Sequence, residues 1–534
     1  MKTIKVHNKQ YDITYVYEYS NYWDKEKKQS RSKRRLIGRL DPFTGETVPT
    51  DGRMRKAKDV ESKIQITEDV DIVPVEYSRK YYGATYLLEA ISEKTKVTEY
   101  LQQYFPKQYK QILSIAFYII LGKSRALCNF DQFDAHTKHP YNRNITSQRS
   151  SELFMSISQE GVYNFVKELW QHHLEDEYSA FDSTSFSSYS EKLKQVKYGF
   201  NKENDKIAQI NFALVFCSKS NIPLYFRKLA GNIPDSKAVK GTLADLFDHG
   251  FKRLKLVMDK GNFTIENINL FIENEHDFLL PPKLQMKFVQ KELNAIIDSL
   301  SNFEYYNIEQ NVYSTTVPHD WDYYVASGEG ADKIKKSKQL YMHFYFNPVQ
   351  REKDVRNFNR KLYYLYEELL NKHKKGIKIL NEKYFKIINN ESDSIIVPNE
   401  AEIKNSMKYF GYMVLLGSEP MNSITALEIY RNKDVIEKAF GTVKEKQGFR
   451  RVLVSNEKSF DGKLFVEYIS LILLSYLKKQ MQISKLNRKY TMEKIFTALD
   501  SIECYELLNK KIRYSEILDK QKKIYWDLGV QPPA

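Results

Sequence analysis

Only three cysteines occur in the 534 residues, Cys128, Cys217 and Cys504, far apart in the chain. That spacing excludes a disulfide framework and a cysteine-rich zinc site, and points to a reducing compartment. The ten histidines form no H-x3-H pattern, and no Walker-type or G-x-G-x-x-G loop is present, so nucleotide-driven work is not indicated. With 20 Gly and 15 Pro, collagen-like and Pro/Gly low-complexity architectures are excluded. Long apolar runs are also missing. The two strongest, Ile112–Leu121 and Leu464–Leu477 (interrupted by Glu467), fall short of the roughly 18–20 residues a spanning helix needs. The opening M-K-T-I-K-V-H-N-K-Q-Y has no apolar signal-peptide core. These features predict a soluble, cytoplasmic protein with no membrane partner.

What the chain does have is positive charge. Lys and Arg number 83 against 68 Asp and Glu, a net +15, which suggests a polyanionic partner, above all nucleic acid. The 42% hydrophobic and 14% aromatic content excludes a disordered chain, and the length predicts two to four domains.

Residues 1–78 read as a β-rich N-terminal arm of short strands and turns, with the turn sequence D-P-F-T-G at Asp41–Gly45. Within it, seven of the eleven residues Lys25–Arg35 are Lys or Arg, with Tyr22 and Trp23 just before the run. Such a run is either a solvated loop or a DNA-backbone-binding arm. The adjacent aromatics favour the arm, with Lys28, Arg31, Lys33, Arg34 and Arg35 as contacts. Residues 79–175 carry helical periodicity, as in Ala84–Leu101, Ile112–Ile120 and Leu153–Leu169, and read as a helical DNA-binding domain with a polar linker at His136–Arg149. From residue 176 the period shortens. Tyr178–Phe186, Gln209–Ser218, Pro223–Leu229 and Leu254–Asp259 read as strands, and a helix over Thr264–Asn274 is capped by Thr264. Residues 286–405, with strands at Asn311–Val317 and Leu340–Phe346 and a charged helix near Asn357–Lys372, read as an insertion. An apolar strand at Tyr409–Leu416 and helices near 424–446 and 463–479 follow, then a basic helical tail over 481–534. The predicted fold is mixed α/β: a sheet domain in two parts, 176–285 and 406–480, split by the insertion.

Three carboxylates stand out. Asp182 sits mid-strand in F-D-S-T-S, where Asp is disfavoured. Asp259 ends the apolar run L-K-L-V-M, the strand tip where open α/β sheets bind ligands. The third is helical. At about 100° per residue, Tyr430, Lys433, Glu437 and Lys444 share an arc of about 60° on one helix face, opposite Val435, Ile436, Ala439, Phe440 and Val443. By itself this pattern also fits an ordinary amphipathic helix with a solvated charged side.

The stretch Y-x2-K-x3-E-x6-K at Tyr430–Lys444 resembles the Y-x2-R-x3-E-x6-K signature of bacterial insertion-sequence DDE transposases, those of insertion sequence family four and its relatives. F-D-S-T-S at Phe181–Ser185, G-N-I-P-D at Gly231–Asp235, M-D-K-G-N-F at Met258–Phe263 and G-K-L-F-V-E-Y at Gly462–Tyr468 agree with it. So does W-D-K-E-K-K-Q-S-R near the N-terminus. The carboxylate spacings, 77 and then 178 residues, suit a catalytic domain split by a β-rich insertion.

The resemblance implies an RNase H-like domain that brings Asp182, Asp259 and Glu437 together as catalytic residues and metal ligands. Clustered carboxylates repel unless cations neutralise them, and hard oxygen donors select Mg²⁺, or Mn²⁺, here as two ions per site. It further implies that Tyr430, Lys433, Lys444 and Lys260 contact DNA, and that the partners are double-stranded terminal inverted repeats and target DNA. A homodimer on paired ends and a bacterial, nucleoid-associated setting follow from the same likeness. The sequence departs from the signature at Lys433, a point charge where Arg would offer a bidentate fork. Two alternatives stay open: a non-catalytic DNA-binding protein derived from a transposase, and a nuclease without strand transfer.

Overall fold

The computed structural model describes residues 2–8, 13–41, 45–50, 78–122, 126–173, 178–199, 207–217, 220–248, 250–251, 253–326, 333–374, 383–389, 394–434, 456–506 and 512–533. The predicted turn tip at 42–44, Glu437 and Lys444 lie outside the described residues. The chain divides into two compact units, Met1–Pro74 and Val75–Ala534.

The first unit is a four-stranded antiparallel sheet ordered β1 (Lys2–Asn8), β2 (Ile13–Asp24), β3 (Gln29–Leu40) and β4 (Thr47–Val48). Alternating Tyr, Val and Ile in β2 suits a pleated ribbon. The basic run is not a loop: Lys25–Lys28 make the hairpin turn, with Lys28 at φ 46°, and Arg31–Arg35 belong to β3. Only Val16 of this unit is a buried hydrophobic among the described residues.

The second unit begins with β5 (Ser78–Tyr81) and the helices α1 (Gly83–Lys94), α2 (Val97–Tyr104), α3 (Tyr109–Leu121), α4 (Phe130–His136), α5 (Ser147–Ser156) and α6 (Gln159–His173). The single helix expected over Ala84–Leu101 is two, because Lys96 adopts a left-handed conformation (φ 62°) that ends one and starts the next. The stretch expected to be a polar linker holds buried His139, which bonds Ser114 and Asp134.

Next come β6 (Ser179–Ser187), β7 (Gln209–Cys217), β8 (Pro223–Ala230), α7 (Asp235–Asp248), β9 (Lys255–Met258), α8 (Ile265–Glu273), β10 (Asp277–Leu280) and α9 (Lys287–Ile296). The strands β6, β7 and β8 form a meander of antiparallel pairs, while β9 runs parallel to β6 and β10 parallel to β9. Their spatial order is β8-β7-β6-β9-β10. Every residue of β6 and β7 is buried, as expected of central strands covered on both faces. Thr264 caps α8 by accepting from the Asn267 N–H, an arrangement worth about 1 kcal/mol. Gly231, which opens G-N-I-P-D, leaves no room for a side chain: a Cβ there would lie 2.0 Å from the Gln209 carbonyl oxygen.

The segment read as an insertion contains β11 (Tyr306–Asn307), β12 (Val312–Ala326), β13 (Lys333–Phe346), α10 (Pro348–Lys374), β14 (Phe385–Asn389), β15 (Ser394–Pro398) and α11 (Glu400–Met407). Its long β12–β13 hairpin is not a separate sheet. Through β16 (Tyr412–Gly417) it joins β10, giving one nine-stranded sheet, β11-β12-β13-β16-β10-β9-β6-β7-β8. Tyr341–Phe346 of β13 pair in register with all six residues of β16, the last four of which are buried, so the hairpin extends the sheet rather than standing apart.

After β16 come α12 (Ser423–Asn432), α13 (Glu457–Ile483), α14 (Met492–Asp500), β17 (Glu503–Glu506), β18 (Ile512–Tyr514) and α15 (Asp519–Asp527). The C-terminal segment is therefore not wholly helical as expected: β18 and β17 pair with β5 in a three-stranded sheet. Tyr525 donates to the Gly83 carbonyl at 2.7 Å, tying the C-terminal helix to the start of α1. The buried face of α13 packs on α3, α5 and β8. No helix among the described residues is long and apolar enough to cross a membrane.

Candidate active site

Strands β6 and β9 run side by side with Ser179 opposite Leu256, Ala180 opposite Val257 and Phe181 opposite Met258. The next residue on each strand is Asp182 and Asp259. Neighbouring strands lie about 4.8 Å apart and side chains alternate between faces. The two carboxylates therefore stand next to each other on the face shared by Ala180 and Val257. Phe181 and Met258 point to the other face, into the main apolar core.

Asp182 is 8% exposed, and the Ser183 N–H donates to its Oδ1 at 2.7 Å. Ser183 itself faces the opposite side, where its hydroxyl donates to Asp235 at the head of α7. Asp259 lies one residue beyond β9, with its side chain 38% exposed. The chain then tightens into a short turn over Lys260–Asn262, closed by the Asn262 N–H on the Asp259 carbonyl at 2.9 Å. Lys260 is exposed there.

The third element is α12. Asn422 caps it, accepting from the Thr425 N–H at 2.8 Å. It crosses β12, β13, β10 and β9 on the carboxylate face. Leu427 and half-buried Tyr430 pack there against Val257, Leu279 and Leu415. At its C-terminal end the Lys433 ammonium, 4% exposed, sits 2.6 Å from Asp259 Oδ1 and 5.6 Å from the centre of the Tyr430 ring. A cation at a helix C-terminus is favoured by the helix dipole. Asp182, Asp259, Tyr430 and Lys433 thus come from one region; Glu437 and Lys444 fall outside the described residues. Among the described residues no three His, Cys, Asp or Glu side chains gather in a metal-binding group.

A set of polar residues that the sequence reading did not single out, from buried Tyr178 and Asp277 to exposed Arg253, holds this register. Tyr178, just before β6, donates to Glu419 Oε2 at 2.8 Å, and Lys255 at the start of β9 reaches Glu419 Oε1 at 2.9 Å. Burial, first, and Glu419 push the Tyr178 phenol well above its ordinary range. One strand further, Asp277 accepts from Arg253 at 2.9 Å and from the Ser418 hydroxyl at 3.0 Å. These links bind the starts of β6, β9 and β10 to the loop before α12. Their partners lie up to 241 residues apart, so no local pattern could have revealed them.

The basic residues of the first unit lie on an exposed ribbon. Arg31, Lys33 and Arg35 alternate with Arg34 along β3, opposite Tyr22, Ser20, Glu18 and Tyr19 in turn. Arg31 lies 3.5 Å from Asp24.

The sequence profile of the family described as "Transposase DDE domain" matches residues 174–473. The chain belongs to that family. The matched span of this DDE transposase starts just before β6, ends inside α13 and contains all three candidate carboxylates. A solved structure, described as "Cryo-EM structure of piggyBac transposase synaptic complex with hairpin DNA", is similar at 11% identity over 79% of each chain, with a TM-score of 0.36. No curated protein matches the sequence.

Proposed function

We propose that this transposase serves an insertion sequence: it binds the element's terminal inverted repeats, cleaves the ends and joins the 3′-OH to target DNA. The observation that carries the reading is the placement of Asp182 beside Asp259 at adjacent positions of parallel strands, with α12, which ends on Tyr430 and Lys433, crossing the same face. The strand order β8-β7-β6-β9-β10, three antiparallel strands followed by two parallel ones, supports an RNase H-like catalytic core. On this reading the core comprises residues 176–285 and 406–480, and 286–405 is the insertion. Residues 1–78 and 79–175 serve DNA binding, and 481–534 close the C-terminal end. The Y-x2-K-x3-E-x6-K sequence at Tyr430–Lys444 supports membership of the insertion sequence family four branch, and with it a bacterial, nucleoid-associated role.

The residues present suit divalent cations. Two hard carboxylates stand together and one already draws an ammonium to 2.6 Å, so the site calls for positive charge. Asp182, Asp259 and Glu437 would hold Mg²⁺ or Mn²⁺, two ions per site. Bound ions would supply Lewis-acid stabilisation of the attacking and leaving oxygens in an in-line displacement at phosphorus. The chain's own residues orient the DNA. Tyr430, Lys433 and Lys260, close to the carboxylates, and Lys444 further along the signature would be phosphate contacts, and Lys28, Arg31, Lys33, Arg34 and Arg35 would present a charged ribbon to duplex backbone. Coordinated action at two ends implies a homodimer on paired DNA.

The test is cleavage of element-end DNA in Mg²⁺, and joining of a pre-cut 3′-OH end, by the wild type and by Asp182→Ala, Asp259→Ala and Glu437→Ala. Loss of both reactions in all three variants is expected. Undiminished activity in any one removes that residue from the site, and cleavage without joining in the wild type would leave a nuclease.

A further inference from the structure

The contact between Lys433 and Asp259 is unusual for a residue whose signature role is to hold DNA. Its side chain is 96% withdrawn from solvent, yet its ammonium lies 2.6 Å from an oxygen of Asp259, a side chain more than one-third exposed. A cation placed there neutralises one member of a carboxylate pair that would otherwise repel. It also stands on an oxygen that a divalent ion would need. Two cations cannot share that oxygen closely without strong mutual repulsion, because Coulomb energies at such distances are large in a partly buried setting. We propose that Lys433 is a resident counter-cation that sets the site's divalent-ion affinity: it occupies Asp259 Oδ1 in the metal-free enzyme and is displaced when the ion binds. This rests on the reading of Asp182 and Asp259 as metal ligands.

The surroundings support a displacement rather than a fixed strut. Lys433 is the C-terminal capping residue of α12, with its N–H on the Tyr430 carbonyl at 3.2 Å. The last turn of a helix frays most readily, and a lysine has four rotatable bonds along its stem. The Tyr430 ring, 5.6 Å from the ammonium, offers a cation–π surface along which it can swing without losing all stabilisation. Displaced from Asp259, the ammonium would turn to a DNA phosphate. Metal binding and DNA gripping would then use one lysine in sequence, so that an ion arriving first prepares the contact for the cleaved end. An arginine, larger and bidentate, would compete at the same oxygen but would not be withdrawn as easily.

The test is Mn²⁺ binding to the full chain without DNA, followed by calorimetry or by the loss of free-Mn²⁺ electron paramagnetic resonance signal. Lys433→Met should bind Mn²⁺ about tenfold more tightly than wild type, and Lys433→Arg no more tightly, because only the former removes the competing charge. In parallel, acetylation footprinting read by mass spectrometry should show Lys433 protected in metal-free wild type and labelled several-fold more once Mn²⁺ is added. Equal or weaker Mn²⁺ binding by Lys433→Met, or unchanged protection of Lys433 on metal addition, overturns the proposal. The footprint decides alone if Lys433→Met does not fold. Should the wild type show no saturable Mn²⁺ binding that Asp259→Ala abolishes, the metal-ligand reading itself fails. Should that binding be present while Lys433→Met leaves it unchanged, only the counter-cation role fails.

Discussion

Phe181 and Met258 are register partners on the parallel strands β6 and β9, and that one pairing decides where Asp182 and Asp259 stand. Because side chains alternate along a strand, a slip of one residue in either strand would send one carboxylate to the opposite face. The two acids are therefore one unit, and their replacement should behave as such. Asp182→Asn and Asp259→Asn are each expected to slow end cleavage by at least about 100-fold. The double variant should be little slower than either single one, since residues that act together are non-additive. Single-turnover rates on pre-formed DNA ends check this; fully multiplicative losses would show that the two act independently.

Glu467 on α13 is buried, its Oε2 without a hydrogen bond among the described residues and Lys463 only as near as 3.8 Å to Oε1. Burial raises its carboxyl well above the ordinary 4.5, with Lys463 opposing weakly. A raised folded-state value means that its contribution to stability is full below pH 4.5 and is lost as pH rises toward the folded value. Glu467→Gln should thus stabilise the chain at pH 8, by about 1–2 kcal/mol, and give no gain at pH 4.5. Denaturant midpoints at the two pH values measure the difference, and an equal shift at both would exclude the buried-acid explanation.

His343 on β13 has the opposite sign. Its Nδ1 lies 2.9 Å from the Thr316 hydroxyl and its Nε2 is buried without a partner among the described residues. Burial lowers its value from 6.5 to about 4. Its stabilising contribution is complete above pH 6.5 and is lost as pH falls from 6.5 toward 4, a loss of about 3 kcal/mol. His139 and His276, also lowered by burial, add to the same trend. His343→Phe should flatten the fall in melting temperature between pH 6.5 and 4.5; a slope matching wild type would assign acid lability to other groups.

Gly462 marks where α13 crosses α5. A Cβ there would lie 2.1 Å from the Phe154 carbonyl oxygen and 2.7 Å from its carbonyl carbon and Cα, backbone atoms that cannot rotate away. Gly462→Ala should cost about 2–3 kcal/mol through a forced shift of one helix. Equilibrium denaturation of the variant tests this, and a cost under about 0.5 kcal/mol would mean that the two helices are free to separate.

Much of the sheet domain was legible beforehand. Nine-residue β7 is dense in apolar, β-branched and aromatic side chains, β6 carries Phe181, Thr184 and Phe186, and α8 announced its start with Thr264. Patterns of this kind live within a dozen residues. The left-handed Lys96 and the joining of the β12–β13 hairpin to β16 were not visible. The first is a single-residue conformation no periodicity carries, and the second depends on a partner strand more than sixty residues further on. The basic run was legible as charge but not as strand, because Lys, Arg and Ser say little about backbone geometry while the opposing Tyr-rich strand does.

By itself the sequence determined the kinds of groups available: one hard carboxylate inside a strand and another at a strand tip, a tyrosine, a glutamate and lysines at helical spacing, a strong positive excess and no cysteine or histidine metal pattern. These are consequences of residue type and short-range spacing. Only the tertiary structure decided that Asp182 and Asp259 stand side by side, since that follows from a backbone register between strands 77 residues apart. It alone put the Lys433 ammonium on Asp259, because the direction of a long flexible side chain is chosen by the charge it meets in space and not by its neighbours in the chain.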